Sequence, residues 1–175
     1  MLETSKKNFH EIGFYDLPAM INHVLAKSGT DKLTYVGLSQ ACPAFMVMSA
    51  LRPEYSKKIV LANFLAPVTA YAAKTKFAYF NYYEQNQDVY DQDVAPVYDI
   101  TNVTTPLAIY FGKADILANV EGIYRQYKLM QNVVLYYRVE SNDFNHMDFV
   151  YAKDLNKHLN NKVIETIDVY NKPKI

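Results

Sequence analysis

The sequence predicts an α/β domain, a mostly parallel sheet with helices on both faces. Two observations carry that reading. Apolar runs of strand length alternate along the chain with longer segments of helical character, the order that the crossovers of a parallel sheet require. The chain has 175 residues, enough for one domain with a sizeable core, and 50% of them are hydrophobic.

The elements follow in order. Asp16 is a residue type that caps helix N-termini; Pro18 suits the first turn that follows, and Gly29 closes the helix after Ala26-Lys27-Ser28. Leu33-Thr34-Tyr35-Val36-Gly37 reads as a short buried strand. A second helix, from about Pro43 to Leu51, must stop at Pro53 and the residue before it. Lys58 to Phe64 is a second strand. Residues 68 to 100 are rich in Tyr, Asn, Gln and Asp without a clean period, which predicts an irregular or partly helical excursion. Regular pattern returns with a strand from Leu107 to Gly112, a helix near Val120 to Met130 and a strand from Val133 to Val139. One final helix is expected from Asp148 to Asp168. No internal repeat interrupts this order.

Composition excludes several classes. Eighteen basic residues balance 18 acidic ones and no basic run occurs, so nucleic acid and anionic membrane have no electrostatic footprint here. The longest apolar run, Ala41 to Leu51, is too short to cross a bilayer, so no stable membrane insertion is expected. A single cysteine, Cys42, excludes an internal disulfide and any multi-cysteine metal site. Met1 to His10 is polar and charged, without the apolar centre of a signal peptide, so the chain as written carries no export signal. Asn102-Val103-Thr104 is a glycosylation sequon, usable only in the secretory pathway.

The sharpest chemical feature is Gly37-Leu38-Ser39-Gln40-Ala41 between a strand and a helix. A nucleophilic serine must stand clear of the sheet on a tight turn, and small residues two positions on either side allow that turn. The helix that follows aims its first N–H groups at a developing oxyanion, and the N–H of Gln40 is one such donor. Taken alone, a small-x-Ser-x-small pattern is as readily a plain turn. Two further residues agree with it. Asp115 falls just past a strand end, where open α/β sheets place functional groups. His146 lies in the polar stretch between the last strand and the last helix. The order Ser, Asp, His then gives a nucleophile, a base and an acid that fixes the base.

Other residues compete for these roles. Asp143 and Asp148 are nearer to His146 in sequence, but Asp148 better suits a cap for the last helix. His10, His23 and His158 are dispersed and suit surface or packing roles, and Cys42 suits a buried small hydrophobe. The tyrosines from Tyr71 to Tyr98 either line an acyl pocket or form an exposed linker.

Long blocks of the chain resemble the acid lipase family, which includes gastric and lysosomal acid lipases and insect digestive relatives. The resemblance runs from Phe9-His10-Glu11-Ile12-Gly13-Phe14-Tyr15-Asp16-Leu17-Pro18-Ala19 through Leu33 to Gln40 and Leu65-Ala66-Pro67-Val68. It resumes from Phe77 to Asp99, at Thr105-Pro106, from Gly112 to Ala118 and at Asn145-His146-Met147-Asp148-Phe149. It implies an α/β-hydrolase fold and hydrolysis of lipid esters, triacylglycerols or cholesteryl esters, with Ser39 as nucleophile, Asp115 as acid and His146 as base. It implies no cofactor or metal, and a secreted or lysosomal setting.

The departures are specific. The family's Gly-His-Ser-Gln-Gly stands here as Gly37-Leu38-Ser39-Gln40-Ala41. The family is about twice as long, with a signal peptide, the first half of the sheet and an oxyanion loop before the region that Met1 begins. Most of its lid, which should follow Val68, is also missing. The chain is therefore expected to be a single incomplete domain over 1–175, the C-terminal half of the sheet, with 69–100 the remnant of the lid connection. Leu33 to Gly37 would be an exposed edge open to self-association. With one oxyanion donor of two, weak esterase activity is expected. An impaired homologue that binds lipid or a protein partner is the alternative, and an esterase for small soluble substrates is a third.

Overall fold

Four parallel strands, in the order β1-β2-β6-β7, form the sheet that organises the molecule. The computed structural model describes residues 9–68, 71–73, 76–78, 87, 93–94, 97–127 and 130–172. A helical turn α1 (Phe9–Glu11) runs through a π-helical turn (Ile12–Asp16) into α2 (Leu17–Ser28), and β1 (Leu33–Leu38) and α3 (Ala41–Leu51) follow. A 3-10 turn (Pro53–Lys58) leads to β2 (Ile59–Leu65). Three short strands come next, β3 (Tyr71–Ala73), β4 (Lys76–Ala78) and β5 (Val97–Asp99). After a 3-10 turn (Ile100–Asn102), β6 (Leu107–Phe111), α4 (Val120–Tyr127) and β7 (Val133–Arg138) complete the sheet. The chain then forms α5 (Asp148–Tyr151), a π-helical turn (Asn156–Asn160) and α6 (Asn161–Asn171).

Burial follows strand position. All five residues of β6 are buried, as expected of a central parallel strand covered on both faces. Only Gly37 is buried in β1, which lies at one edge, and Val36 is 50% exposed. Helix α3 is apolar nearly all round and Cys42 through Ala50 are buried, the pattern of a core helix. It packs on one face through Phe45, whose ring lies 4.7 Å from Tyr35 and 5.5 Å from Phe64. Asn63, next to Phe64 in β2, points to the opposite face. There Tyr110 donates a 3.2 Å hydrogen bond to Asn63 Oδ1, and Thr166 of α6 lies beside Tyr110. Helices thus cover both faces.

The alternation of strands and helices, the parallel sheet and the stop before Pro53 follow the sequence-based expectation, and Gly29 ends α2 in left-handed backbone at φ 66°. Three expectations are corrected. Asp16 makes no side-chain cap, because the preceding turn is already helical and supplies the first bonds of α2. The excursion from 68 to 100 contains an antiparallel sheet, β3-β4-β5, too short to show a period in sequence; most of the rest of that stretch lies outside the described residues. The final helix is broken after Tyr151, where Ala152 adopts ψ 135°, and regular helix resumes only at Asn161.

The register brings functional loops to one edge. Leu38 pairs with Leu65, Leu65 with Tyr110 and Phe111 with Arg138, so β1, β2, β6 and β7 end level. The segments after β1, β6 and β7 leave from that carboxyl edge, where parallel sheets carry their sites.

Candidate active site

Ser39 is the first residue after β1 and Gln40 precedes the first turn of α3, so the chain reverses within two residues. The reversal forces Ser39 to φ 53°, a left-handed backbone that costs a residue with a Cβ roughly 1–2 kcal/mol. Its N–H donates to the carbonyl of Leu65 at 2.9 Å, which fixes the turn to the neighbouring strand. A Cβ at Gly37 would come within 2.6 Å of the Tyr35 ring, so a larger residue there would force that ring to move. Gln40 lies at the N-terminal end of α3, where backbone N–H groups lack intrahelical partners, and its side chain is exposed.

Asp115 follows β6 in a turn of its own making. Its Oδ1 accepts the N–H of Leu117 at 2.9 Å and that of Ala118 at 2.7 Å, and its side chain is wholly buried. These two donors orient the carboxylate so that Oδ2 faces His146. His146 Nδ1 lies 2.8 Å from Asp115 Oδ2, and its Nε2 lies 2.8 Å from Ser39 Oγ. A carboxylate only accepts, so Nδ1 carries the proton and Nε2 is left to accept from the serine hydroxyl. The structure therefore joins Ser39, His146 and Asp115 across 107 and 31 residues of sequence.

The loop carrying His146 is set by contacts that the sequence reading did not single out. The carbonyl of Phe144 accepts the N–H of Ala114 at 3.1 Å, and it passes so close to Gly112 that a Cβ there would be 2.2 Å away. Phe144 is buried edge-on against Phe149 at 4.9 Å. Within the loop, Asn145 N–H donates to Asp148 Oδ2 at 2.8 Å and Met147 N–H to Asn145 Oδ1 at 2.9 Å. Asp148 thus holds the turn around His146 from inside the first turn of α5, where a cap on a long last helix was expected. Gly112, the glycine after a strand, was the available signal.

The other candidates sit elsewhere. His10 Nδ1 lies 2.6 Å from the Tyr98 hydroxyl, His23 is exposed, and His158 packs at 6.3 Å from the Phe144 ring. Cys42 is buried beneath the serine turn, and burial raises its thiol pKa well above the ordinary value. Asn102 donates through Nδ2 to the carbonyl of Ala50 at 3.3 Å, so the atom that would carry a glycan already has a partner. Among the described residues, no group of three or more His, Cys, Asp or Glu could hold a metal ion, and no helix is long and apolar enough to cross a membrane.

No protein-family model matches the chain. Curated relatives do. Lipase 1 of Drosophila melanogaster is 25% identical over 250 residues, covering 91% of this chain and 57% of its own length. Gastric triacylglycerol lipase of Rattus norvegicus is 21% identical over 252 residues, covering 90% of this chain and 63% of its own. Identity reaches 43% over 61 residues, 35% of this chain and 15% of the relative, with the lysosomal acid lipase/cholesteryl ester hydrolase of Rattus norvegicus. The chain therefore spans little more than half the length of the first of these. Among solved structures, a monoacylglycerol lipase from Paleococcus ferrophilus superposes with a TM-score of 0.59 at 14% identity, covering 94% of this chain and 77% of that one. The Pyrococcus furiosus esterase Pf2001 gives 0.60 at 15%, covering 95% and 65%. The chain is similar in sequence to acid lipases and has the fold of α/β-hydrolases, in part.

Proposed function

We propose, from that similarity in sequence and fold, that the chain hydrolyses carboxylic esters of lipids, triacylglycerols or cholesteryl esters, through Ser39, His146 and Asp115. The observation that carries the reading is the single imidazole that bridges a serine hydroxyl and a buried carboxylate at 2.8 Å on each side. Ser39 Oγ attacks the ester carbonyl while His146 Nε2 takes its proton, and Asp115 stabilises the imidazolium that forms. The N–H of Gln40 receives the oxyanion. His146 returns the proton to the leaving alcohol, and water, activated by the same imidazole, releases the acid from the acyl-enzyme.

In this reading 1–175 belongs to a single domain, 69–100 is the remnant of the lid connection, and the setting is secreted or lysosomal, with Asn102 as the candidate glycan site. A second reading has one observation in its favour: among the described residues β1 lies at an edge of the sheet, with a half-exposed Val36, a surface suited to self-association or a protein partner. Labelling by a fluorophosphonate probe, read by peptide mass spectrometry, separates the two. Labelling confined to Ser39 and abolished in Ser39→Ala is the expected result. A folded sample that takes no label would leave the binding protein.

A further inference from the structure

Two side chains outside the proton relay bracket the turn that carries Ser39, and we propose that Tyr35 and Cys42 are positioning residues for the nucleophile. The inference rests on Ser39 being that nucleophile. Ser39 holds a left-handed backbone, φ 53°, which a residue with a Cβ keeps only where its surroundings enforce it. The two residues supply that enforcement from opposite ends of the turn.

Cys42 acts on the strand side. Its Sγ donates to the carbonyl of Gly37 at 3.2 Å and lies 3.8 Å from the carbonyl of Leu65. That Leu65 carbonyl also receives the Ser39 N–H, and the Cys42 N–H returns to the Ser39 carbonyl at 3.1 Å. One residue of the first helical turn is thereby tied to both flanks of the serine. The thiol is buried and its pKa is raised by desolvation, so it stays protonated and keeps its donor.

Tyr35 acts on the helix side. Its hydroxyl donates to the carbonyl of Ala41 at 2.9 Å, two residues past the serine. Its ring fills the space beside Gly37 and packs on Phe45 at 4.7 Å, which fixes where the hydroxyl reaches. Burial raises the phenol's pKa too, so this donor persists at neutral pH. Between the two anchored carbonyls, Gly37 and Ala41, lie the Ser39 hydroxyl and the Gln40 N–H. Their relative placement is what attack and oxyanion binding require, and a misplacement on the order of 1 Å costs about a hundredfold in rate.

The test is the kinetics of fluorophosphonate labelling in the 175-residue chain and its variants Tyr35→Phe, Cys42→Ala and Cys42→Ser, with hydrogen exchange of the amides across the turn. In Tyr35→Phe the rate constant at saturating probe should fall roughly tenfold, with half-saturating concentration and final stoichiometry unchanged. Cys42→Ala should show a smaller loss that Cys42→Ser, which keeps a donor, recovers. Ser39 N–H exchange should quicken in the slowed variants while β6 stays protected. Parent-like labelling and exchange in Tyr35→Phe and Cys42→Ala would overturn the proposal and leave the hydrolase reading intact. If the parent chain takes no label, the hydrolase reading fails, and Ser39 N–H exchange alone decides whether the two residues hold the turn. If Tyr35→Phe loses protection in β6, the pair Cys42→Ala and Cys42→Ser decides.

Discussion

The Ser39 turn and the His146 loop hold their side chains in opposite ways. Ser39 sits in a two-residue reversal between β1 and α3, and its placement comes from strained backbone at φ 53°. His146 sits in a longer connection from β7 to α5 whose backbone bonds to its own side chains and to the turn after β6. A strained turn needs small neighbours close in sequence. A long loop needs one close approach from a distant element, and Gly112 supplies it.

The contrast is broken most severely at that approach. A Cβ at Gly112 would lie 2.2 Å from the Phe144 carbonyl oxygen and 3.0 Å from its carbon, which is backbone and cannot rotate away. Gly112→Ala should push the Phe144 segment off β6 and carry His146 out of line with Ser39. The expected loss in Ser39 labelling rate is about a hundredfold, with a loss of stability of about 1–3 kcal/mol from overpacking. Labelling kinetics and urea unfolding check the two effects. A parent-like rate would mean that the loop is placed by something other than this contact.

That difference also governs what could be read in the sequence. The serine turn was legible because its requirements, small residues two positions either side of Ser39 between strand and helix, are local. The parallel sheet was legible for the same reason, since β6 and α3 announce themselves as continuous apolar runs. Asp115 and His146 could be nominated by position and by resemblance, but the bond between them spans 31 residues and no local spacing encodes it. The role of Gly112 was hidden because its partner, Phe144, belongs to another loop. Asp148 was misread because a helix-capping residue and a loop-holding residue look alike until the loop is folded. Around 68–100 the short strands β3, β4 and β5 are three residues each, below the length at which alternation can be seen.

Asp148 sharpens the comparison at lower cost. Asp148→Ala removes the acceptor for the Asn145 N–H, while Asn145 Oδ1 still receives the Met147 N–H. Losing a cap-like side-chain bond of this kind costs about 1 kcal/mol. His146 keeps its bond to Asp115, so the labelling rate should fall only severalfold, well short of Gly112→Ala. A larger drop in Asp148→Ala than in Gly112→Ala would reverse the ranking and make the loop's own bonds its main support.

The smallest effect separates the acid response of the scaffold from that of the site. His10, on α1, bonds through Nδ1 to the Tyr98 hydroxyl at 2.6 Å, far in sequence from Ser39 and His146. Desolvation lowers its pKa below the ordinary 6.5, partly opposed by the negative charge of Glu11. A base whose folded pKa is depressed binds its proton more readily when unfolded. Its contribution to stability is therefore whole above pH 6.5, declines as the pH falls below that value, and levels off beneath the lowered folded value. In His10→Asn, whose amide can still meet Tyr98 but cannot titrate, urea midpoints measured across this range should fall less steeply than in the parent. Ser39 labelling should keep its pH profile, because His146 is untouched. Equal slopes in parent and variant would remove His10 as a source of acid sensitivity.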